Sequence, residues 1–320
     1  MGDGGEVTGR IRIGTASWTD KSLIDSGLYY PRASRSAEQR LRFYAAEFPM
    51  VEVDSSYYAL PTEQTAGLWA RRTPTDFLFN VKAFRLFTTH GTRLAVLPPE
   101  VRADIPAELK AKGNLYYRDL PKDITDVLWR SFETALLPLD SAGKLGVVVF
   151  QFPPWFMPNR DSHRHIEECR KRLPQYNLAV EFRNQYWLSE DSRGRTFDFL
   201  RDNHLSFIAV DEPQGFTSSV PPIAEVTGPY AIARFHGRNR ETWEAKGLAT
   251  SAERFDYYYS EAEMREWVPR VRAMAEQARE VHVVMNTNRA DQGIANARLM
   301  ARLLGTGLRE GGEQERMRLG

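Results

Sequence analysis

Eight short apolar runs, rich in β-branched and aromatic residues, recur along the chain. They span residues 11–16, 50–54, 77–82, 145–152, 177–182, 205–211, 230–236 and 281–286. Most of them are nearly continuous rather than alternating, which is typical of parallel strands that are covered on both faces. Eight strands of this kind favour closure into a barrel. The pattern therefore predicts an α/β protein that folds as a single (β/α)8 TIM-like barrel.

Amphipathic stretches lie between these runs, as the crossovers of a parallel sheet require. Two of them begin with the spacing of a capping box, Ser36 with Gln39 and Ser260 with Glu263. Apolar residues follow at helical spacing and predict stripes that pack on the outside of the sheet. Further helices are predicted at residues 62–73, 123–138, 161–173, 192–202 and 290–304.

Two connections depart from this regular alternation. The sixth crossover, residues 212–229, contains four prolines and predicts at most a short helix. About sixty residues separate the third run from the fourth, far more than such a connection needs. We interpret residues 84–122 as an insertion over the barrel mouth, and the sequence does not indicate its role. We predict one domain over residues 11–304, with flexible segments at residues 1–10 and 305–320.

The composition is that of a folded protein without a strong overall charge. Hydrophobic residues make up 42% and charged residues 27% of the chain. The 43 Lys and Arg residues are balanced by 42 Asp and Glu residues, so the chain has no overall positive charge that would attract nucleic acid or an anionic membrane. The lone Cys169 excludes an intrachain disulfide, and neither a signal-peptide pattern nor a membrane-spanning apolar run occurs. We predict a cytoplasmic protein with no membrane or nucleic-acid partner, and leave its oligomeric state open.

Polar residues gather where the predicted strands end. Alternate residues of a barrel strand point inward, and functional groups come from the carboxyl ends of the strands. The predicted inward rows are Glu52 and Asp54; Asn80 and Lys82; Val147, Val149 and Gln151; Ala179, Glu181 and Arg183; Phe207, Ala209 and Asp211; Ile232, Arg234 and His236; and His282, Val284 and Asn286. A buried charge is costly unless paired, so seven converging rows favour a ligand site over a self-satisfied ion network.

These strand ends supply the candidate site residues. Predicted catalytic residues are Glu181, Asp211 and His236. Predicted substrate-binding residues are Trp18, Glu52, Asp54, Tyr57, Lys82, Gln151, Arg183, Trp187, Arg234, Arg238 and Asn286. The aromatic residues among them would either stack on a ring or roof the core. Carboxylates beside cations stay ionised, so His236 is the expected acid near neutral pH.

Several motifs that would define a reaction are missing from the sequence. It contains no phosphate-binding glycine loop, no Gly-x-Ser-x-Gly elbow and no His-Glu-x-x-His pair. A metal could be held by residues from separate strands, namely Glu52, Asp54, Glu181, Asp211 and His236. Nearby Arg and Lys groups disfavour a bound cation, so we predict no cofactor and keep a divalent metal as the weaker alternative.

Taken in order, these motifs resemble the DUF72 family, also called YecE-like. The segments that carry the resemblance are Gly14-Thr15-Ala16-Ser17-Trp18, Glu52-Val53-Asp54-Ser55-Ser56-Tyr57, Gln151-Phe152-Pro153-Pro154, Glu181-Phe182-Arg183 and Arg234-Phe235-His236-Gly237. The resemblance extends from about residue 11 to about residue 304 and implies a TIM-barrel-like fold, but it brings no activity with it. Asp54 stands where the family commonly has Asn, which adds a negative charge at the mouth.

Three functions fit these residues. The first is an enzyme that acts on a small anionic or phosphorylated substrate: Lys82, Arg183 and Arg234 bind the anion, and a predicted catalytic residue moves a proton. The second is a barrel that binds a ligand, as a regulator, without catalysis. The third is a metal-dependent phosphodiesterase similar to apurinic-site endonucleases, which the near-neutral charge disfavours. We favour the first.

Overall fold

All eight predicted strands are present in the computed structural model, which describes residues 9–248, 250–309 and 317 of the chain. The strands are β1 (Arg10–Thr15), β2 (Met50–Val53), β3 (Leu78–Lys82), β4 (Leu145–Gln151), β5 (Leu178–Glu181), β6 (Leu205–Asp211), β7 (Tyr230–Phe235) and β8 (Glu280–Met285). Their ends agree with the predicted runs to within one residue. Nearly every residue in them is buried, as their continuous apolar character indicates.

The strands form one parallel sheet in the order β1-β8-β7-β6-β5-β4-β3-β2. The two edge strands meet just beyond the end of β1. Ala16 forms a parallel bridge with Glu52, and the backbone N–H of Ser17 donates to the Glu52 carbonyl oxygen at 2.9 Å. These contacts close the sheet. The predicted α/β fold, a TIM-like (β/α)8 barrel, is therefore confirmed.

Helices connect the strands on the outside. Among the described residues they are α1 (Lys21–Ser26), α2 (Ala37–Glu47), α3 (Ser55–Tyr58), α4 (Glu63–Arg71), α5 (Pro99–Asp104), α6 (Ala107–Lys110), α7 (Lys122–Ser141), α8 (Arg160–Arg172), α9 (Arg193–Asp202), α10 (Ser251–Arg254), α11 (Glu261–Gln277) and α12 (Gln292–Leu304). Both predicted capping boxes are confirmed, at α2 and at α11. Residues 212–229 contain no helix, in line with their four prolines. Within the described part of the chain, no helix is both long and apolar enough to cross a membrane.

Polar side chains fill the lower barrel interior between β3, β4 and β8. Asn80 Oδ1 accepts a hydrogen bond from the Val147 backbone N–H at 3.2 Å, where the pairing of β3 with β4 shifts register. A Cβ atom on Gly146 would lie 2.4 Å from the same oxygen, so only glycine leaves room for it. His282 is fully buried and has Nδ1 3.0 Å from Asn80 Oδ1 and Nε2 3.2 Å from Glu280 Oε2. These contacts stabilise the barrel floor.

The insertion after β3, residues 84–122, covers the side of the barrel rather than the whole mouth. Tyr117 accepts a hydrogen bond from Trp129 Nε1 of α7 at 2.9 Å. The first residues of the insertion do reach the mouth, because the His90 ring lies 5.3 Å from the ring of Tyr57 in α3. The predicted position over the mouth therefore applies to this first part, whereas Tyr117 in the later part bonds to Trp129 of α7 and to Glu168 of α8.

Parts of both predicted flexible segments are bonded to the barrel. The backbone N–H of Gly9 donates to the Ala275 carbonyl oxygen at 2.8 Å, and that of Ile13 donates to the Gly307 carbonyl oxygen at 3.0 Å. Arg309 donates a side-chain hydrogen bond to Asp76 at 2.6 Å. The rest of these segments, residues 1–8, 310–316 and 318–320, lies outside the described residues.

Candidate functional site

A chain of buried ion pairs crosses the carboxyl end of the barrel. Arg234 of β7 donates from Nη2 to Glu52 Oε1 of β2 at 2.7 Å, and from Nη1 to Glu181 Oε2 of β5. All three side chains are fully buried. One arginine thus joins carboxylates from two strands on opposite parts of the sheet, as the predicted convergence of these rows requires.

Arg183 extends this chain towards the surface. Its Nε donates to Glu181 Oε1 at 2.5 Å, and its Nη1 donates to Glu212 Oε2 at 2.8 Å. Its Nη2 lies 3.0 Å from His236 Nε2, and the Asn286 side-chain amide contacts the other ring nitrogen, Nδ1, at 2.9 Å. Five predicted strand-end residues, Glu52, Glu181, Arg183, Arg234 and His236, therefore belong to one network, which Asn286 joins.

Burial and nearby charges shift the pKa values of the three acids of this network in different directions. Burial alone raises the pKa of Glu181, but the guanidinium groups of Arg183 and Arg234 outweigh it and hold that pKa well below its usual range. Burial raises the pKa of Glu52 despite Arg234, and one of its carboxylate oxygens, Oε2, has no hydrogen-bond partner among the described residues. Burial also raises the pKa of Glu212 to about 8, although Arg183 opposes it.

His236 is neutral at physiological pH, which corrects the expectation that it is the acid of the site. Burial and, to a smaller extent, the neighbouring Arg183 lower the pKa of its imidazole to about 3, although Glu181 acts in the opposite direction. A neutral imidazole accepts a proton or a hydrogen bond instead of supplying a proton near pH 7. Any acid–base role of His236 is therefore that of a base.

Replacing His236 by Gln is expected to reduce the loss of unfolding free energy that occurs as the pH falls below neutral. The unfolded chain protonates this histidine near its ordinary pKa of 6.5, whereas the folded chain does so only near about 3. Between these values the unfolded state binds more protons, so acidification costs the wild type up to about 1.4 kcal/mol of unfolding free energy per pH unit. Denaturant-induced unfolding from about pH 4 to about pH 8 measures the slope. His163→Gln on α8 is the control, and equal slopes in wild type and His236→Gln would contradict the assignment.

The rim beside β2 and β3 is also ion-paired. Lys82 Nζ lies 2.7 Å from Asp54 Oδ1 and 4.7 Å from the centre of the Tyr57 ring. The Arg85 guanidinium lies over the same ring at 5.3 Å. Because Asp54 neutralises the charge of Lys82, this lysine has less attraction for an anion than the sequence indicated. Lys82, Asp54 and Tyr57 nevertheless lie together at the rim, as predicted.

A cavity of about 230 Å³ opens beside Arg183. Gln151 at the end of β4 lines it, together with Trp243, Arg254 and Phe255 from the segment between β7 and α11. The Arg183 guanidinium lies 5.1 Å from the centre of the Trp243 ring. The volume is below the roughly 300–1,000 Å³ of sites for drug-sized molecules, so the cavity suits a compact ligand.

Asp211 points away from this cluster, so the predicted inward row of strand six is wrong by one residue. Its carboxylate accepts hydrogen bonds from Trp267 Nε1 of α11 at 2.6 Å, from the Tyr259 hydroxyl at 2.7 Å and from Arg238 Nη2 at 2.7 Å. The next residue, Glu212, faces inward and binds Arg183. Asp211 therefore ties β6 to the outer helical layer, and its catalytic role stays a prediction.

Three predicted substrate-binding residues also lie outside the cluster. Arg238 binds Asp211 and, at 2.8 Å, Glu266 of α11. Trp187 is fully buried, stacks on Phe182 and donates from Nε1 to a backbone carbonyl. Trp18 is buried and packs edge-on against Trp69 of α4. The structure gives all three a packing or tethering role, because each contacts the helical layer rather than the mouth.

Sequence reasoning missed several residues of the site, among them Glu212, Trp243, Arg254 and Phe255. Glu212 follows Asp211, and the two adjacent acids were the available signal that one of them faces inward. The other three come from a long segment after β7 that has no strand to fix its direction. No periodicity in the sequence could assign them to the cavity.

The arrangement does not suit the metal alternative. Of the five proposed ligands, Asp211 faces α11, and both Glu52 and Glu181 are bonded to Arg234. Within the described residues, no group of three or more His, Cys, Asp and Glu side chains is arranged to hold a metal ion. A divalent cation would have to compete with the arginines for these carboxylates.

The closed parallel barrel and the ion-paired cluster at its strand ends define a TIM-like barrel protein with a polar mouth. A family model described as "Protein of unknown function DUF72" matches residues 12–317, and the chain belongs to this family.

A relative in sequence and two solved structures agree with this family. The chain is 29% identical to the UPF0759 protein YunF of Bacillus subtilis (strain 168) over 297 residues, which cover 92% of this chain and 94% of that protein. It is similar to crystal structures of DUF72 family proteins from Enterococcus faecalis V583 (25% identity, TM-score 0.74, 92% and 95% of the two chains) and Thermotoga maritima MSB8 (29% identity, TM-score 0.69, 92% and 99%).

Proposed function

We propose that this protein is an enzyme that acts on a compact, anionic, ring-containing substrate bound in the cavity beside Arg183. The observation that carries the proposal is the pairing of a buried, fixed guanidinium with an aromatic ring on the same small cavity. Arg183 is held by Glu181 and Glu212 and lies under Trp243. A guanidinium in a fixed position binds carboxylates and phosphates well, because little freedom is lost on binding.

The charge of the cavity lining favours an anion. The described residues that line it include two arginines, Arg183 and Arg254, and no aspartate or glutamate. Arg254 donates its hydrogen bonds to neutral backbone carbonyl oxygens, including that of Ala245 at 2.8 Å, so these partners leave its positive charge in place. The Ser218 hydroxyl, also on the lining, donates to Glu244 at 2.6 Å. A small anion would therefore meet the positive charge of Arg254 and the remaining N–H donors of Arg183, whose own charge is paired with Glu181.

The aromatic residues of the cavity favour a ring in the substrate. The His236 ring centre lies 5.8 Å from that of Phe255 and 6.4 Å from that of Trp243. Faces of this kind pack on flat or weakly polar rings. Since Arg183 supplies the anion contact nearby, a ring that bears a phosphate or carboxylate would use both features together.

The acid–base step is assigned to His236. It is neutral at physiological pH and lies 3.0 Å from the Arg183 guanidinium that would hold the anion. In this reading Glu181 and Glu212 keep Arg183 in place, and Asn286 orients the imidazole through Nδ1. Because its pKa is about 3, His236 is a weak base at neutral pH, and we expect its contribution to lie below the roughly 10²–10⁴-fold that a positioned base with a pKa near the operating pH supplies.

A second candidate is a barrel that binds the same kind of anion without chemistry. The observation in its favour is that Glu181 and Glu212 are bonded to arginine and His236 is almost fully buried. Such a network holds a ligand-binding arginine, and neither carboxyl group is among the described residues that line the cavity. Binding is common to both candidates, and turnover separates them.

The isosteric change Gln151→Glu tests the anionic substrate. It adds a negative charge to the cavity lining without changing side-chain volume, and Gln151 has no side-chain hydrogen bond in the described structure that the change would break. A panel of sugar phosphates, nucleoside monophosphates and aromatic carboxylates is screened by thermal shift and by product analysis. We expect at least one compound to raise the melting temperature of the wild type, and Gln151→Glu to weaken its binding by about tenfold or more through charge repulsion.

The matched control is Gln64→Glu, which makes the same change on the exposed face of α4. It should bind the panel as the wild type does. Equal binding by wild type and Gln151→Glu, or no binding across the panel, would contradict an anion site in this cavity. Conversion of a bound compound supports the enzyme, and binding without conversion favours the second candidate.

A further inference from the structure

The loop between β4 and α8 separates the cavity beside Arg183 from a second, larger one. Pro154 lines the first cavity, whereas the next residue, Trp155, lines a second cavity of about 540 Å³ together with Tyr116 of the insertion. The two cavities share no lining residue. The second volume lies within the range of sites that bind small molecules.

Aromatic surface in this second cavity faces solvent, in contrast to most aromatic residues of the chain. Trp155 is 62% exposed and Tyr116 36% exposed, whereas Trp187 and Trp267 are fully buried. Neighbouring rings limit the freedom of Trp155, since His90 packs edge-on against it at 5.6 Å. An exposed aromatic face at a concave surface is a platform on which a ring can stack.

The polar groups of the second cavity are mostly uncharged. Asn159, Ser162 and Thr89 contribute amide and hydroxyl groups, and the Thr89 hydroxyl is buried without a hydrogen-bond partner among the described residues. Thr89 also adopts a positive φ of 64°, a conformation that a β-branched residue rarely takes and that often marks a functional position. His165 is a neutral member of the lining, because burial lowers its pKa.

The charge at this cavity differs from that at the mouth. Arg118 carries the formal charge among the lining residues, but its side chain is 86% exposed and its Nε lies 3.9 Å from Asp119. A solvated, partly compensated arginine attracts an anion only weakly. The cavity therefore combines a fixed aromatic face with neutral donors and acceptors and has little net charge.

We propose that this second cavity is a binding site for a neutral sugar ring, which stacks its apolar face on Trp155 and hydrogen-bonds through its hydroxyl groups to the polar lining. A sugar presents both an apolar C–H face and hydroxyl groups that donate and accept, which matches this lining better than a flat apolar ring does. The site is independent of the function proposed for the cavity beside Arg183, because it shares no residue with it.

Saturation-transfer NMR on the full-length protein tests this site with maltotriose, cellotriose and chitotriose as probes and adenine as a flat, non-sugar ring. We expect transfer from at least one sugar. Trp155→Ala should weaken its binding by about tenfold, and Trp155→Phe, which keeps an aromatic face, by less. Because Trp155 is largely exposed, its replacement should leave the fold intact, which circular dichroism verifies.

Tyr258→Ala is the matched control, since Tyr258 is a comparably exposed aromatic residue that lines neither cavity. It should bind the sugar as the wild type does, and so should Gln151→Glu. Absence of transfer from all three sugars, equal affinity in wild type and Trp155→Ala, or transfer from adenine alone would overturn the proposal.

Discussion

Replacing Arg234 by methionine is expected to lower the free energy of unfolding by about 3–5 kcal/mol. Methionine fits a similar volume but leaves Glu52 and Glu181 without the guanidinium that both contact, and all three side chains are fully buried. An uncompensated buried carboxylate must be desolvated or protonated, and either process costs stability. Urea-induced unfolding near neutral pH, followed by tryptophan fluorescence, measures the change.

Arg201→Met provides the control for this prediction. Arg201 also forms two ion pairs, with Asp198 and Glu225, but its side chain is 42% exposed. Solvent screens such pairs, so the control should lose no more than about 1 kcal/mol. If Arg234→Met does not accumulate as folded protein, the milder Glu52→Gln, which removes one ion pair, is measured in its place. A loss in Arg234→Met or Glu52→Gln no larger than that of the control would contradict the buried network.

Replacing Asp211 by Asn is expected to cost about 2–4 kcal/mol of unfolding free energy. The carboxylate accepts from Trp267, Tyr259 and Arg238 at once, and an amide offers a single acceptor oxygen and adds two donors. The buried Trp267 N–H or Tyr259 O–H would then lack a partner. Thermal unfolding followed by circular dichroism measures the effect.

Asp198→Asn on the exposed face of α9 is the matched control, and it should change stability by less than about 0.5 kcal/mol. The two substitutions also separate a structural role of Asp211 from the catalytic role that the sequence suggested. A structural role predicts that any ligand found for the cavity beside Arg183 still binds Asp211→Asn below its unfolding temperature. Unchanged stability with lost ligand binding would restore the catalytic interpretation.

The sequence predicted the barrel and most of its central cluster for one physical reason. Strands covered on both faces are continuously apolar, so a charge at the inward end of a strand, such as Glu181 or Arg234, stands out. The inward face of strand β6 could not be predicted in this way. Its rows Phe207-Ala209 and Ile208-Val210 are both apolar, and hydrophobicity cannot tell which of them faces inward. Pairing of Val210 with Arg234 in the sheet decides it, and pairing is a property of the folded chain.

The aromatic predictions failed for a related reason. Trp18 and Trp187 follow strand ends, as mouth residues do, yet both turn back onto the helical layer, where they pack against Trp69 of α4 and His163 of α8. Position along the chain does not define the direction of a side chain in a loop. The cavity residues Trp243 and Phe255 illustrate the converse, since a long connection brings them to the mouth from positions that no strand indicates.

Glu52 links the closure of the barrel between β1 and β2 to the buried ion pairs, because its backbone and its side chain are both bonded. Its carbonyl oxygen accepts a hydrogen bond from the Ser17 N–H where β1 meets β2, and its carboxylate accepts one from Arg234 of β7. Separation of β1 from β2 would therefore also strain the ion pair between Glu52 and Arg234, and loss of that ion pair would weaken the closure of the barrel. The charged cluster thus helps to hold the barrel closed, in addition to forming the base of the mouth.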